Sequence, residues 1–591
     1  MNTDGTAAPG RGARAATPVP VRRSLLRRSL VAGVLATGLV AAGGLPATAD
    51  DSAATTDLTL TATVDGRNAV LGGDFQGFSV ESADFAHGYL TRERMAERLR
   101  TLGPQGVIRL GGYSMDLVWP AFGTWTDAPA PPEAIGGTVD QSDLDHLKEL
   151  LDATGWKVTL GAPLKKIIDP AKIKNPTRDP SPAVSLEQVV AEVTAAYRTL
   201  GDDLLGVELG NEYDNVTTLT DAEMWETAKR YRAAIDQALP HANLKIVGPS
   251  ANTAKTNTRL EGFISAALAD GSTQPQQVLA EVASHWYPWS HCGSSTVTVD
   301  QLMSPLTYTN TRSKLAGIMA VDDQLHGRIP MTLNESNSAS CSGMPGVSNS
   351  YATALWSLDY LLQAAQSGVD RLQFHTNTTG VCGDFKARDS AEYPISYRYY
   401  GAFCADDQAA LDANELSANP LYYGIWAFRQ VPQGRFVDLD LADEHLDKLR
   451  AYAVKGNADT LTVVLINVQD PARAGSTRDA VTLNLPSAYG TGSQVTLRSA
   501  APEGLAALDA AQISLGGRSV SPAGVATGAP QSTAVAVDHR SATVTVAPGT
   551  AQIVTFSHCA TGPEPRSLGR SRRGGTGRPA ECFPPDPGRA R

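Results

Sequence analysis

The sequence predicts a (β/α)8 barrel followed by an all-β sandwich, and three observations carry that expectation. Between residues 73 and 432, eight short apolar runs alternate with segments of helical period. Two of those runs end alike, in Gly210-Asn211-Glu212 and in Leu333-Asn334-Glu335. Each sets a carboxylate at a strand's carboxyl end, where barrels keep their chemistry. From 433 to 557 the helical period gives way to short alternating runs separated by Gly, Pro, Ser and Asp, the pattern of a sandwich.

The 591-residue chain has room for two or three domains, and its 42% apolar, 19% charged composition is that of a globular protein. Residues 1–49 stand apart from the fold. Arg22-Arg23-Ser-Leu-Leu-Arg27-Arg28 precedes an apolar segment from Leu30 to Leu45, and Ala47-Thr-Ala49 supplies a small-residue cleavage site. This is the pattern of a secretory signal peptide cut after Ala49, so the mature protein is expected to be secreted. The arginine pairs leave both the general and the twin-arginine export routes open. The apolar segment is too short for a stable membrane span.

In residues 50–72 the alternating run Leu58–Val64 is expected to join the sandwich, since a closed barrel has no free edge. The barrel strands are predicted at Phe75–Glu81, Val107–Gly111, Trp156–Ala162, Leu204–Gly210, Lys245–Gly248, Val282–Tyr287, Pro330–Asn334 and Leu372–His375. Helical stretches such as Leu144–Ala153, Leu186–Leu200, Ala222–Leu239 and Ala352–Ser367 lie between them. A doubly wound sheet finds no support, because no Gly-x-Gly-x-x-Gly or Walker loop is present. The tail, 558–591, is rich in Gly, Pro and Arg and is expected to be disordered.

Residues 50–557 carry a formal charge of −20, against basic ends, which argues against nucleic acid as a partner. Six cysteines in an exported chain point to disulfides rather than metal ligands. Cys292, Cys341, Cys382 and Cys404 fall in loops after predicted strands, and no zinc spacing occurs. Fifteen pairings are possible for six cysteines; loop adjacency favours Cys292 with Cys341.

Cleaving a glycosidic bond takes one carboxyl to protonate the leaving oxygen and a second across the anomeric carbon. Glu212 follows Asn211, a neutral group able to bind the neighbouring sugar hydroxyl, and is expected to be the acid/base. Glu335 sits among Asn334, Ser336 and Asn337, expected to favour its ionised form as the nucleophile. A lone Glu at a loop start is ordinarily a solvated surface residue; the repetition of Asn-Glu after an apolar strand singles this pair out. Arg109, costly to bury unpaired, is expected to hold a catalytic Glu ionised or to form a structural ion pair. A serine hydrolase is disfavoured, since Gly77-Phe-Ser79-Val-Glu81 lacks the second glycine of a nucleophile elbow. No cofactor and no metal is expected, because carboxylates suffice.

Glu208-Leu-Gly-Asn-Glu212 and Leu333-Asn-Glu335-Ser-Asn-Ser338 resemble the acid/base and nucleophile motifs of the clan of retaining (β/α)8 glycosidases, which lie on strands 4 and 7. Within that clan the chain resembles glycoside hydrolase family 79, the β-glucuronidases and heparanases. Supporting stretches are Gly77–Glu81, Ile108–Gly112, Ala354–Leu362 and Asn419–Ile425, and the likeness spans roughly residues 57–557. The resemblance implies that Glu81 contacts sugar hydroxyls and that Tyr287, in His285-Trp286-Tyr287, hydrogen-bonds the nucleophile. His285, Asn211 and Arg109 join them as expected substrate-binding residues.

The chain also departs from the family. Gly111-Gly112-Tyr113-Ser114 stands where many members read Gly-Gly-Asn-Ser. The tyrosine and glycine pair that receive a uronate carboxylate in some members are replaced by Ser338–Gly343 and His375–Gly380. Lys165 and Lys166 offer positive charge after strand 3, although such a pair is more often a solvated helix start. The expected activity is a retaining exo-β-glycosidase acting on a carbohydrate or glucuronide, a β-glucuronidase first. A retaining enzyme for neutral glucosides, xylosides or arabinosides, or a non-catalytic carbohydrate-binding protein, are the alternatives. The oligomeric state is left open.

Overall fold

The computed structural model describes residues 55–175, 181–383, 385, 399–456, 460–487 and 489–558. The predicted signal peptide with its cleavage point, and the tail from 559 onward, lie outside them.

Eight parallel strands close a barrel in sequential order. They are β1 (Gln76–Glu81), β2 (Val107–Gly111), β3 (Lys157–Ala162), β4 (Leu204–Leu209), β5 (Ile246–Asn252), β6 (Leu279–His285), β7 (Met331–Ser336) and β8 (Arg371–His375). Helices alternate with them: α1 (Met95–Leu102), α2 (Gln141–Thr154), α3 (Leu186–Leu200), α4 (Asp221–Ala238), α5 (Thr258–Ala269), α6 (Pro305–Asp322), α7 (Tyr351–Gln366) and α8 (Pro420–Phe428). The strands are buried on both faces, by the helix layer outside and by their own side chains within, so they read as apolar runs without alternation. Helix starts follow the local chemistry. Asp140 caps α2 in a box with Asp143, Ser185 caps α3, and Thr220 caps α4 in a box with Glu223.

The second part is a mostly antiparallel, eleven-stranded sheet. Its principal strands are β9 (Gly434–Leu439), β10 (Leu449–Gly456), β11 (Leu461–Asn467), β12 (Arg478–Asn484), β13 (Thr491–Ser499), β14 (Ser541–Val546) and β15 (Thr550–Ser557). Strand Thr55–Thr63 enters this sheet between β12, which it pairs in parallel, and β9. Residues from both halves of the sheet, among them Leu60, Val463, Val481, Val544 and Phe556, enclose a core of their own.

All seven residues of β11 are buried. Leu461, Val463 and Leu465 face the sandwich core, whereas Val464 and Ile466 belong to the larger cluster that continues into the barrel. Helix α7 lies at that junction and is buried from Tyr351 to Ala365. The Tyr351 hydroxyl donates to Gly549 O at 2.8 Å, and Asp359 accepts from the Tyr452 hydroxyl. A helix apolar on every side is thereby explained by cover on both sides.

Two disulfides are present among the described residues, Cys292–Cys341 and Cys382–Cys404, with Cα separations of 5.2 and 5.4 Å. The first is the pairing expected from loop adjacency. No described helix is long and apolar enough to cross a membrane.

Candidate active site

The site is built at the carboxyl ends of the barrel strands. β4 ends at Leu209, and Gly210 turns the chain with φ +66°; a Cβ there would come within 2.8 Å of Leu164 Cδ2. This tight turn is followed by Glu212, itself at φ +46°, a left-handed conformation uncommon for a residue with a side chain. The Glu212 carboxylate accepts from Asn252 Nδ2 and lies against His285 Nδ1, each at 3.1 Å, and the Asn215 amide donates to its other oxygen. No Arg or Lys among the described residues pairs with it.

Glu335 lies across the lumen on β7 in a different setting. Arg109 Nη1 donates to its Oε2 at 2.7 Å, and the Tyr287 hydroxyl donates to its Oε1 at 2.9 Å. His285 and His375 stand 3.7 and 4.0 Å from Oε2. Burial disfavours charge on Glu335, but the positive groups on His375, His285 and Arg109 outweigh it and hold the carboxyl well below the usual range. Burial, then the adjacent Glu335, push the Tyr287 phenol well above its ordinary value, so it remains a hydrogen-bond donor.

Arg109 organises the floor. It is completely buried, and its five N–H groups all find acceptors. Nε and Nη2 grip Glu208 at 2.6 Å each, Nη1 serves Ser79 Oγ at 2.9 Å as well as Glu335, and Nη2 reaches Asn211 Oδ1 at 2.8 Å. Of the two roles expected of Arg109, the structure shows both contacts, to a structural partner and to a candidate catalytic Glu. Glu208, also completely buried, was not singled out in the sequence, although a charge within an apolar strand run announces a buried partner.

His285 stands between the two glutamates. Arg109 Nη2 is 3.4 Å from its Nε2, and its Nδ1 faces Glu212 at 3.1 Å. One atom each from Glu212, His285 and Glu335 lie within 4.8 Å of one another, a spacing that a metal ion could bridge. The donors already aimed at Glu335, a guanidinium among them, oppose a dication there. The same spacing brings the two carboxylates to opposite sides of one small gap.

Several expectations are corrected. Asn334, Ser336 and Asn337 do not polarise Glu335: Asn334 donates to Ser250 Oγ, Ser336 to Trp286 O, and Asn337 to His375 O. Asn334 and Ser336 are Glu335's strand neighbours and point to the opposite face. Glu81 is completely buried, so the expected sugar contact is not available to it. It accepts from Tyr113 N at 3.2 Å and Ser114 N at 2.7 Å and lies 3.5 Å from His375 Nε2. Gly112, at φ +71°, is required here, since a Cβ would fall 2.4 Å from that carboxyl. His285 and Arg109 lie beneath the cleft, where they hold the glutamates. Asn211 gives its oxygen to Arg109, leaving its amide nitrogen as the group able to donate outward. His375 and Ser79, joined at 2.8 Å, complete the floor and were not anticipated. Lys166 is exposed, as a solvated lysine should be, but Lys165 is not: it is 6% exposed.

No protein-family model matches the sequence, and no curated protein sequence matches it. Solved structures do match. A 4-O-α-L-rhamnosyl-β-D-glucuronidase from Fusarium oxysporum 12S, in complex with Rha-GlcA, superposes with a TM-score of 0.62 at 20% identity, covering 85% of this chain and 100% of that one. The family 51 arabinofuranosidase from Xanthomonas axonopodis pv. citri gives 0.56 at 12% identity, covering 84% and 99%. A monomeric β-xylosidase from Caulobacter crescentus CB15 gives 0.52 at 14%, covering 85% and 100%. Over these spans the chain shares with glycoside hydrolases the fold of a (β/α)8 barrel joined to a β-sandwich.

Proposed function

We propose that the protein is an exported retaining β-glycosidase of the family 79 type, and that its substrate is a β-glucuronide. The observation that carries this reading is the unlike pair of glutamates, with carboxylate oxygens within 4.8 Å across His285. That separation suits double displacement, which calls for carboxyl groups about 5–5.5 Å apart rather than the wider gap of inversion. Glu335, held ionised by Arg109 and Tyr287, attacks the anomeric carbon and forms a glycosyl ester. Glu212, bounded by neutral amides and an imidazole, gives its proton to the leaving oxygen. It then takes a proton from the water that cleaves the ester, and the sugar leaves with its configuration kept. Asn211 is placed to donate to the sugar hydroxyl beside the reacting carbon. The glucuronidase among the structural neighbours supports the choice of sugar. The missing tyrosine and glycine pair favour a neutral β-glycoside as the second reading.

The test is release of p-nitrophenol from β-glucuronide, β-glucoside and β-xyloside substrates, with the product anomer followed by proton NMR. Glucuronide turnover with retention is expected. Glu335→Ala should abolish it, and Glu212→Gln should lower it by about 10²–10⁴-fold. Inversion, or activity that survives Glu335→Ala, would overturn the mechanism; turnover of neutral glycosides alone would overturn the sugar.

A further inference from the structure

Glu212 holds a left-handed backbone, φ +46°, that a residue with a side chain keeps only when its surroundings impose it. On one side Gly210 turns against Leu164, and the Glu212 N–H donates to Ser250 O at 3.1 Å. On the other stands Tyr213, which opens the short helix Tyr213–Val216 and is completely buried. Its hydroxyl donates at 2.7 Å to Oδ1 of Asp221, the first residue of α4. Burial, and then Asp221, push the phenol well above its ordinary value, so it stays a donor.

Arg259, in the first turn of α5, closes the arrangement. Its Nη1 pairs with the same Asp221 oxygen at 2.9 Å, its Nη2 donates to Leu219 O, and its guanidinium lies over the Tyr213 ring, 5.0 Å from the centroid. Helix α5 comes this close to Asp221 because residue 262 is glycine: a Cβ there would fall 1.9 Å from Asp221 Oδ2. A proton donor works only within hydrogen-bond reach of the leaving oxygen, and a displacement of about 1 Å costs on the order of a hundredfold in rate. The amides and the imidazole on the Glu212 carboxylate aim its side chain, whereas the backbone beneath is set by the residues on either side.

We propose that Tyr213, latched by Asp221 and Arg259 between α4 and α5, is a positioning residue that holds the Glu212 turn and so sets where the acid/base carboxyl stands. The assignment rests on the glycosidase reading for the role of Glu212. It goes beyond that reading in tying the acid/base to two helices of the outer layer.

The experiment compares kcat/KM for phenyl and 2,4-dinitrophenyl β-glycosides of the sugar that the enzyme turns over. Amide hydrogen exchange across residues 210–216 is followed alongside by mass spectrometry. Phenol needs a proton from the acid as it leaves, whereas 2,4-dinitrophenolate departs without one. Tyr213→Phe deletes only the hydroxyl. It should lower the phenyl value about tenfold more than the dinitrophenyl value, in the same sense as Glu212→Gln, and should speed exchange over 210–216. Asp221→Asn, which keeps an oxygen for the hydroxyl, should retain most of the wild-type ratio. Arg259→Met should give a smaller change of the same sign, and serves if the Phe variant fails to fold. A loss equal on both substrates marks a structural role alone and would overturn the assignment. So would unchanged rates and exchange, which would leave the turn to the loop after β3, where Lys174 binds Asp214 O and Val216 O. If the wild type cleaves no aryl glycoside, or Glu212→Gln loses equally on both, the acid/base reading fails. Exchange over 210–216 then decides for Tyr213 alone: faster in Tyr213→Phe supports the latch, and unchanged refutes it.

Discussion

Arg109 satisfies two glutamates, a serine and an asparagine with one planar fork, a task that three ammonium protons cannot match. Arg109→Met leaves Glu208 as a buried, unpaired charge, and a loss of about 3–5 kcal/mol in folding free energy is expected by urea denaturation. In the fraction that folds, Glu335 loses its strongest donor. The acidic limb of kcat/KM should then move to higher pH, while a purely structural role would change stability alone. The candidate pair of glutamates and the cost of burying Arg109 were legible in the residues. The partner was not, because Glu208 lies inside an apolar run and its mate is two strands away. Asn334 and Ser336 misled for a simpler reason. Residues adjacent in a strand face opposite ways, so neighbours in the chain are the wrong place to look for a carboxylate's partners.

The loops after β6 and β7 carry Tyr287 and lead away from Glu335, and they are fastened together. Trp289–Ser290 pairs with Ala339–Ser340, and Cys292–Cys341 closes the connection over a separation of 49 residues. In the chain-entropy account a loop of that length contributes about 4 kcal/mol. Replacing both cysteines by alanine is expected to lower stability by up to that amount and to reduce kcat more than it raises KM. A melting curve and steady-state rates would check both; unchanged kcat would mean that the loops hold Tyr287 without the bridge. Element bounds were most legible where caps were present: the α3 range was predicted to the residue, between Ser185 and Gly201. Strand ends were less so. β5 runs on through Pro249-Ser-Ala to Asn252, a stretch with the composition of a loop. It continues because Asn252 must deliver its amide to Glu212. Strand ends that build a polar site look like loops because the polar residues of the site are those that loops are made of.

Across the whole molecule, buried carboxyls set the response to pH. Burial raises Asp84 from 3.8 to about 6, against the opposing hydrogen bonds from Thr378, and raises Glu192 from 4.5 to about 8. Between each pair of values the folded chain holds more protons than the unfolded one, so ionising these groups costs the folded state. Stability therefore falls as pH climbs from about 4 to about 8. Glu335 acts in the opposite sense, since its lowered value keeps its contribution until strong acid. The net −20 of residues 50–557 adds self-repulsion at the higher pH. The urea midpoint is expected to be higher at pH 5 than at pH 8; the reverse order would mean that these carboxyls are paired by groups not evident in the fold. The (β/α)8 barrel and the sandwich were legible from periodicity. What covers α7 was not, because an apolar helix announces burial without naming the surface that buries it.

The place of Thr55–Thr63 in the sheet has a temporal consequence. Its partners, Gly434–Leu439 and Arg478–Asn484, are translated some 370 to 420 residues later. At about 5–20 residues per second the ribosome needs roughly 20–80 seconds to make them. Throughout that interval an alternating Thr/Leu strand waits without a partner, long after the barrel's own local βα units are available to form. The first of the described strands to be made is thus among the last to be paired, and a chaperone or a neighbouring nascent chain has tens of seconds in which to find it.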